Sequence, residues 1–153
     1  MEPVSILLVE DDPADAELIQ LALEGAGLAT GLRVARDGAE ALDFLFCRAP
    51  FAERPPDRPP RLVLLDLKLP KVSGLEVLRQ LKRDPGTHAI PVVMLTSSSV
   101  ERDVVEGYRL GANSYVQKPV EFERLRKVVV EVGRYWLQVS EPVPPRAFAR
   151  EAE

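Results

Sequence analysis

The chain is poor in the residues that carry thiol and imidazole chemistry. It has one cysteine, Cys47, and one histidine, His88. A single cysteine excludes an internal disulfide and fits a reducing cytoplasm. Cys47 ends an amphipathic segment and reads as a partly buried small apolar residue, not a reactive thiol. His88 lies in a polar loop, far from any nucleophile motif, which leaves a Ser-His-Asp triad without a histidine. A phosphohistidine donor would likewise have to use that one residue. No apolar run is long enough to span a bilayer. The opening MEPVSILLVEDD turns acidic with no basic segment before it, so it does not read as a signal peptide. Positive charge is not in excess either: 20 Lys and Arg stand against 24 Asp and Glu, a net of -4. That balance argues against nucleic acid as a partner. The glycines Gly25, Gly27, Gly107 and Gly111 read as helix-end or turn residues and form no phosphate-binding loop.

What is present is a regular alternation. At 153 residues the chain is one domain with room for a core. Short apolar runs at residues 4–9 (VSILLV), 62–66, 91–96 (PVVMLT) and 114–117, with a weaker one at 30–36, read as strands. Between and after them lie segments with apolar residues at helical spacing: 38–47, 73–83, 100–110 and 121–139, with a first from Asp12-Pro13 to Gly25. Asp12 followed by Pro13 is a helix-start signature, a capping side chain and then proline at the first helical position. The first, third and fourth strands are apolar throughout, as in a parallel sheet buried on both faces. The class is α/β, with helices on both sides of the sheet. Two segments fall outside this pattern. Residues 48–60 (RAPFAERPPDRPP) read as an extended, solvated loop, and residues 140–153, with Pro142, Pro144 and Pro145, as a mobile tail.

The strand ends carry the chemistry. An open parallel sheet binds ligands outside the carboxyl ends of its strands. The first strand ends in Glu10-Asp11-Asp12, the third in Asp66, the fourth in Thr96-Ser97, and Lys118-Pro119 follows the fifth. Glu10, Asp11 and Asp66 then gather in one acidic pocket with a hydroxyl and an ammonium at its rim. Clustered carboxylates repel, and oxygen ligands with room for water suit Mg²⁺. An aspartate beside such an ion can attack phosphorus, with Lys118 and Thr96 meeting the phosphoryl oxygens. Any one acidic residue at a strand end is more simply a helix cap, and Asp12 reads that way. Four strand ends with complementary groups in chain order are not explained by capping.

The motifs ILLVEDDP, LLDLKLPKVSG, VVMLTSSS and LGANSYVQKP resemble those of bacterial response-regulator receiver domains, the family that includes CheY, over residues 4–139. The resemblance implies a doubly wound five-stranded sheet in the order 2-1-3-4-5 with five helices. It implies that Asp66 is the phosphoacceptor and that Mg²⁺ or Mn²⁺ is held by Glu10, Asp11, Asp66 and the backbone carbonyl of Lys68. It also implies that Thr96 is the hydroxyl switch, Lys118 the phosphate-pairing lysine and Tyr115 an aromatic that rotates on activation. A cis bond before Pro119 and phosphoryl transfer from a sensor histidine kinase belong to the same expectation, as does a location in the cytoplasm. The long loop before the third strand, the run ERDVVEGYRLGANSYVQKPVEF and the YWL near the end of the last helix resemble single-domain regulators paired with phytochrome-type histidine kinases.

Output is expected through protein contacts. In the last helix, Phe122, Leu125, Val129, Val132 and Trp136 form one apolar stripe that would pack on the sheet. Val128 and Tyr135 lie on another face, and Val104 and Tyr108 are four apart in the fourth helix. Family topology turns these four outward, beside Tyr115, as a homodimer face. The bland alternative is that Val128 and Tyr135 border a wide core stripe. Lys68 is expected to influence dephosphorylation, or else to be a solvated surface lysine. Two rival functions stand beside this reading. A haloacid-dehalogenase-type phosphatase would want a second aspartate where Lys68 stands, and a phosphate-independent docking module would not need the intact set of Glu10, Asp11, Asp66, Thr96 and Lys118. No enzyme activity is expected beyond phosphotransfer to Asp66 and its hydrolysis.

Overall fold

The computed structural model describes residues 3–149. Ten elements alternate: β1 (Ile6–Val9), α1 (Pro13–Gly25), β2 (Leu32–Ala35), α2 (Gly38–Leu45), β3 (Leu62–Leu65), α3 (Gly74–Arg83), β4 (Val92–Thr96), α4 (Glu101–Arg109), β5 (Ser114–Gln117) and α5 (Phe122–Arg134). The strands pair in parallel in the order β2-β1-β3-β4-β5, as the sequence leads one to expect. β1 and β3 are buried along their whole length. Their side chains alternate between two cores. Leu7, Val9, Val63, Leu65, Val92 and Met94 face α2 and α3, against Ala41, Leu45, Val77, Leu78 and Leu81. Ile6, Leu8, Leu62, Leu64, Val93 and Leu95 face the other way, onto Ile19 and Leu23 of α1 and Leu125 and Val129 of α5. The period-2 alternation of a strand thus divides one apolar run between two layers of helix.

Helix starts follow their capping chemistry. Asp12 accepts from the Ala14 and Asp15 amides, Asp37 from that of Glu40 and Ser73 from that of Glu76, each satisfying an otherwise orphaned N–H. The last helix is not continuous to residue 139. α5 stops at Arg134, and Tyr135–Val139 form a π-helical turn closed by the Ser140 amide on the Tyr135 carbonyl at 2.7 Å. Gly107 is not a turn residue. It sits inside α4, where a Cβ would stand 3.1 Å from the Tyr115 ring, so the missing side chain lets helix and strand approach.

The segment read as a solvated loop and the one read as a mobile tail both carry anchors. In the 48–60 loop the Phe51 ring meets Phe44 edge-on at 5.2 Å between centroids. The Arg54 guanidinium lies 4.2 Å over Phe44 and is 5% exposed. It donates to the carbonyls of Phe44 (2.5 Å) and Arg58 (3.1 Å) and to the Cys47 sulfur (3.2 Å). Composition predicts a solvated loop here; cation–π stacking and backbone acceptors instead bury the cation. Arg54→Ala strips those partners, so a fall of about 1–3 kcal/mol in unfolding free energy is expected by urea denaturation. An unchanged midpoint would mean that the loop is not held by this contact. Residues 145–148 likewise form a short 3-10 turn that seats Phe148, 7% exposed, in the core facing α2 and α3. The tail expected at 140–153 is therefore attached to the body through Phe148, and residues 150–153 lie outside the described part.

Candidate functional site

Register decides which residues meet. Val9 of β1 pairs with Leu65 of β3, so Glu10 and Asp66 leave the two central strands side by side. The Asp66 amide donates to the Val9 carbonyl at 3.1 Å and fixes that alignment. On the other flank Thr96 pairs with Gln117, and the Lys118 amide donates to the Thr96 carbonyl at 2.6 Å. Glu10, Asp66, Thr96 and Lys118 thereby line one edge of the sheet, and their backbone positions follow from the ladder alone.

Side chains close the arrangement. Each of Glu10, Asp11 and Asp66 places a carboxylate oxygen within 4.8 Å of the other two. Lys118 reaches across from β5: its ammonium lies 2.5 Å from Glu10 Oε1, 2.9 Å from Asp15 Oδ2 and 3.3 Å from Asp66 Oδ2. Glu10 also accepts from the Asp12 amide at 3.2 Å, and Asp66 from the Leu67 amide at 2.7 Å. Glu10 is 2% exposed and Lys118 8%. The Asp66 side chain keeps 12% of its surface and Asp11 is exposed, so the pocket opens to solvent on the acidic side.

One lysine faces several carboxylates, and the imbalance shows in their protonation. Burial pushes the Glu10 carboxyl up to about 7; the Lys118 bond opposes this and the Asp66 charge adds to it. Burial works against the Lys118 ammonium too, but the bonds to Glu10 and Asp15 and the charge of Asp66 outweigh it and hold the lysine above its ordinary range. The two shifts differ in origin: burial dominates at Glu10, whereas bonds to neighbouring carboxylates outweigh burial at Lys118. The donor set is all oxygen, open to water on one side and short of positive charge. These properties fit Mg²⁺ or Mn²⁺ at Glu10, Asp11 and Asp66.

Around this centre the other expected residues take definite places. Thr96 is 2% exposed, and its hydroxyl accepts from the Ser98 amide at 3.4 Å. Tyr115 stands outside the acidic pocket, with its hydroxyl donating to the Ser98 carbonyl at 3.0 Å and its amide to the Tyr108 hydroxyl at 3.2 Å. Burial raises the Tyr115 phenol pKa, with the charges of Asp103 and Asp66 adding to it against the Ser98 bond. The Lys68 side chain is exposed. His88 is exposed and Cys47 partly buried, as the sequence indicates.

Two expectations need correction. The bond before Pro119 is not cis; among the described residues the cis peptide is Ala49–Pro50. The trans form is favoured by about 0.5–1 kcal/mol, and Lys118 reaches all three carboxylates with it. Phe122 does not join the packed stripe of the last helix. It begins α5 and is 41% exposed, whereas Leu125 and Val129 are buried and Val132 and Trp136 pack against the core. Asp15 is a site residue that sequence reasoning missed. Its only signal is an acidic side chain in the first turn of α1, which ordinarily serves the helix dipole.

A doubly wound sheet with three carboxylates and a lysine at its carboxyl edge defines a class: a receiver domain, built to take a phosphoryl group beside a divalent cation. The family model for the response regulator receiver domain matches residues 6–130, and the chain belongs to that family. It is 46% identical over 136 residues to the probable methanogenesis regulatory protein FilR2 of Methanothrix harundinacea, covering 89% of this chain and 85% of that one. It is 40% identical to the response regulator Rcp1 of Synechocystis, covering 89% and 90%. The Mn²⁺-bound crystal form of Rcp1 superposes with a TM-score of 0.84 at 39% identity, over 92% of this chain and 99% of that one. The phosphorylated cyanobacterial phytochrome response regulator RcpA superposes with a TM-score of 0.85 at 37% identity, over 92% and 99%. No helix among the described residues is long and apolar enough to cross a membrane.

Proposed function

We propose that the chain is a stand-alone response regulator in which Asp66 accepts a phosphoryl group from a sensor histidine kinase of the phytochrome type. The observation that carries this reading is the gathering of Glu10, Asp11 and Asp66 at one sheet edge, with the Lys118 ammonium against Glu10 and Asp66. Those three carboxylates and the Lys68 carbonyl would hold Mg²⁺ or Mn²⁺, which would supply charge neutralisation for the phosphoryl oxygens. An Asp66 carboxylate oxygen attacks phosphorus as the P–N bond of the kinase's phosphohistidine breaks and its imidazole leaves, while Glu10 stays against Lys118 and the Asp12 amide. Lys118 pairs with a phosphoryl oxygen, and the Thr96 hydroxyl turns from the Ser98 amide to donate to another. Tyr115 then leaves the Ser98 carbonyl for the space that Thr96 vacates. The phytochrome-type kinase is supported by the likeness to RcpA. The test is incubation with acetyl phosphate and Mg²⁺, read by intact mass, followed by phosphotransfer from a phytochrome-type kinase and from an unrelated histidine kinase. One phosphoryl group per chain, and faster transfer from the first kinase, is expected. Equal rates from both kinases would end the phytochrome pairing while leaving the receiver reading intact. Catalytic turnover of a small phosphoester would favour the phosphatase alternative, to which Lys68 is already unsuited.

The same reading places a homodimer on the α4-β5-α5 face. Tyr108 and Tyr135 are each about half exposed, and Val104 and Val128 are partly buried. Replacing Val128 by Asp and Tyr135 by Arg is expected to reduce the solution mass from dimer to monomer by light scattering. A dimer that survives both changes would discard this face.

A further inference from the structure

Lys118 has three N–H donors, and three carboxylates occupy the three of them. The ammonium is therefore saturated before any phosphoryl group arrives. The three acceptors are unequal. Glu10 is buried and pinned by the Asp12 amide. Asp66 is the group that would carry the phosphoryl. Asp15, on the first turn of α1, keeps 32% of its side-chain surface, and among the described residues its carboxylate meets the pocket through Lys118 alone.

We propose that Asp15 is a positioning residue that parks Lys118 in the resting protein and sets how readily the lysine closes on a phosphoryl group. The inference rests on the phosphoacceptor reading of Asp66. A phosphoryl group offers three strong acceptor oxygens where Asp66 offered one contact at 3.3 Å. The first lysine donor passes to it from Asp66 at no loss. A second donor is gained only by releasing Glu10 or Asp15, and Asp15 gives way because water can take up its carboxylate, about one-third exposed, at smaller cost than that of buried Glu10. The Asp15–Lys118 bond, at 2.9 Å the shorter of the lysine's two contacts with aspartate, thus belongs to the unphosphorylated state and opposes closure. Its loss should favour the closed state by the worth of one partly exposed ion pair.

The test is titration calorimetry of the full chain with beryllofluoride, a phosphoryl mimic, in excess Mg²⁺. Asp15→Asn is expected to bind it about threefold to fivefold more tightly than the native chain. Asp15→Glu, which can again reach the ammonium, should restore native affinity. Asp12→Asn removes the same charge from the same helix start while keeping the cap, and should change affinity by less than about twofold. Equal tightening by Asp12→Asn and Asp15→Asn would show that bulk charge, not the lysine bond, is responsible, and would overturn the proposal. So would weaker binding by Asp15→Asn. If that variant fails to fold, Asp15→Ser carries the same expectation. A native chain that does not bind beryllofluoride at all would instead overturn the phosphoacceptor reading, and this inference with it.

Discussion

Gly74→Ala is expected to lower unfolding free energy by about 2–4 kcal/mol and to slow phosphoryl uptake about a hundredfold. The two effects have one cause. Gly74 begins α3, and its amide donates to the Leu67 carbonyl at 2.8 Å, folding the chain back under the end of β3. A Cβ at this position would collide with the Asp66 carbonyl oxygen and crowd the Leu67 Cα. The obstacle is backbone, so no side-chain rotation relieves it. Either α3 moves away from β3, opening the core at Val77 and Leu78, or residues 66–67 move and carry the Asp66 carboxylate off the Lys118 ammonium. Gly25 supplies the control, because a Cβ there meets nothing within 4 Å. Gly25→Ala should be neutral or stabilising by up to about 1 kcal/mol. Equal melting and equal phosphorylation of Gly74→Ala and native protein would show that the turn after β3 is not packed as described.

Asp66→Asn is expected to abolish phosphoryl uptake while leaving the metal-free fold at least as stable as the native one. The amide cannot attack phosphorus, yet its oxygen can still accept from Lys118 and from the Leu67 amide as the carboxylate does. Removing one negative charge relieves Glu10, whose carboxyl is pushed up partly by Asp66. A gain of about 0.5–1 kcal/mol follows for the metal-free protein. Excess Mg²⁺ should reverse the order, because a cation that binds only the folded chain stabilises it in proportion to its affinity, and the variant has lost one ligand. Melting both proteins in chelator and in Mg²⁺ checks the crossing. A variant that stays less stable in both buffers would contradict the account of crowded charge.

How far the sequence reaches is clear from particular residues. Glu10 and Asp66 were legible because each ends an apolar run, and a parallel ladder aims successive strand ends at one edge. Lys118 and Thr96 follow for the same reason, one strand pair further on. Asp15 was not legible. Its partner is 103 positions away in the chain, and nothing local says that the first turn of α1 faces the end of β5. The anchors at Phe51, Arg54 and Phe148 were hidden by composition, because proline and arginine read as solvated until a guanidinium finds an aromatic face and carbonyl acceptors. Phe122 failed in the opposite direction. Helical spacing put it on the core stripe, but the stripe extends one turn beyond the surface that α5 covers. Spacing alone makes Gly107 a helix-end or turn glycine, whereas its role depends on the Tyr115 ring from β5.

The central claim is that one particular carboxylate at the crowded edge receives the phosphoryl group. The direct measurement is to phosphorylate the full chain with acetyl phosphate in Mg²⁺, digest it and locate the modified aspartate by mass spectrometry. The account predicts a single acyl phosphate on Asp66, lost when the cation is chelated beforehand. A phosphoryl group found on Asp11, Asp12 or Asp15, or uptake that proceeds unchanged in chelator, would contradict it.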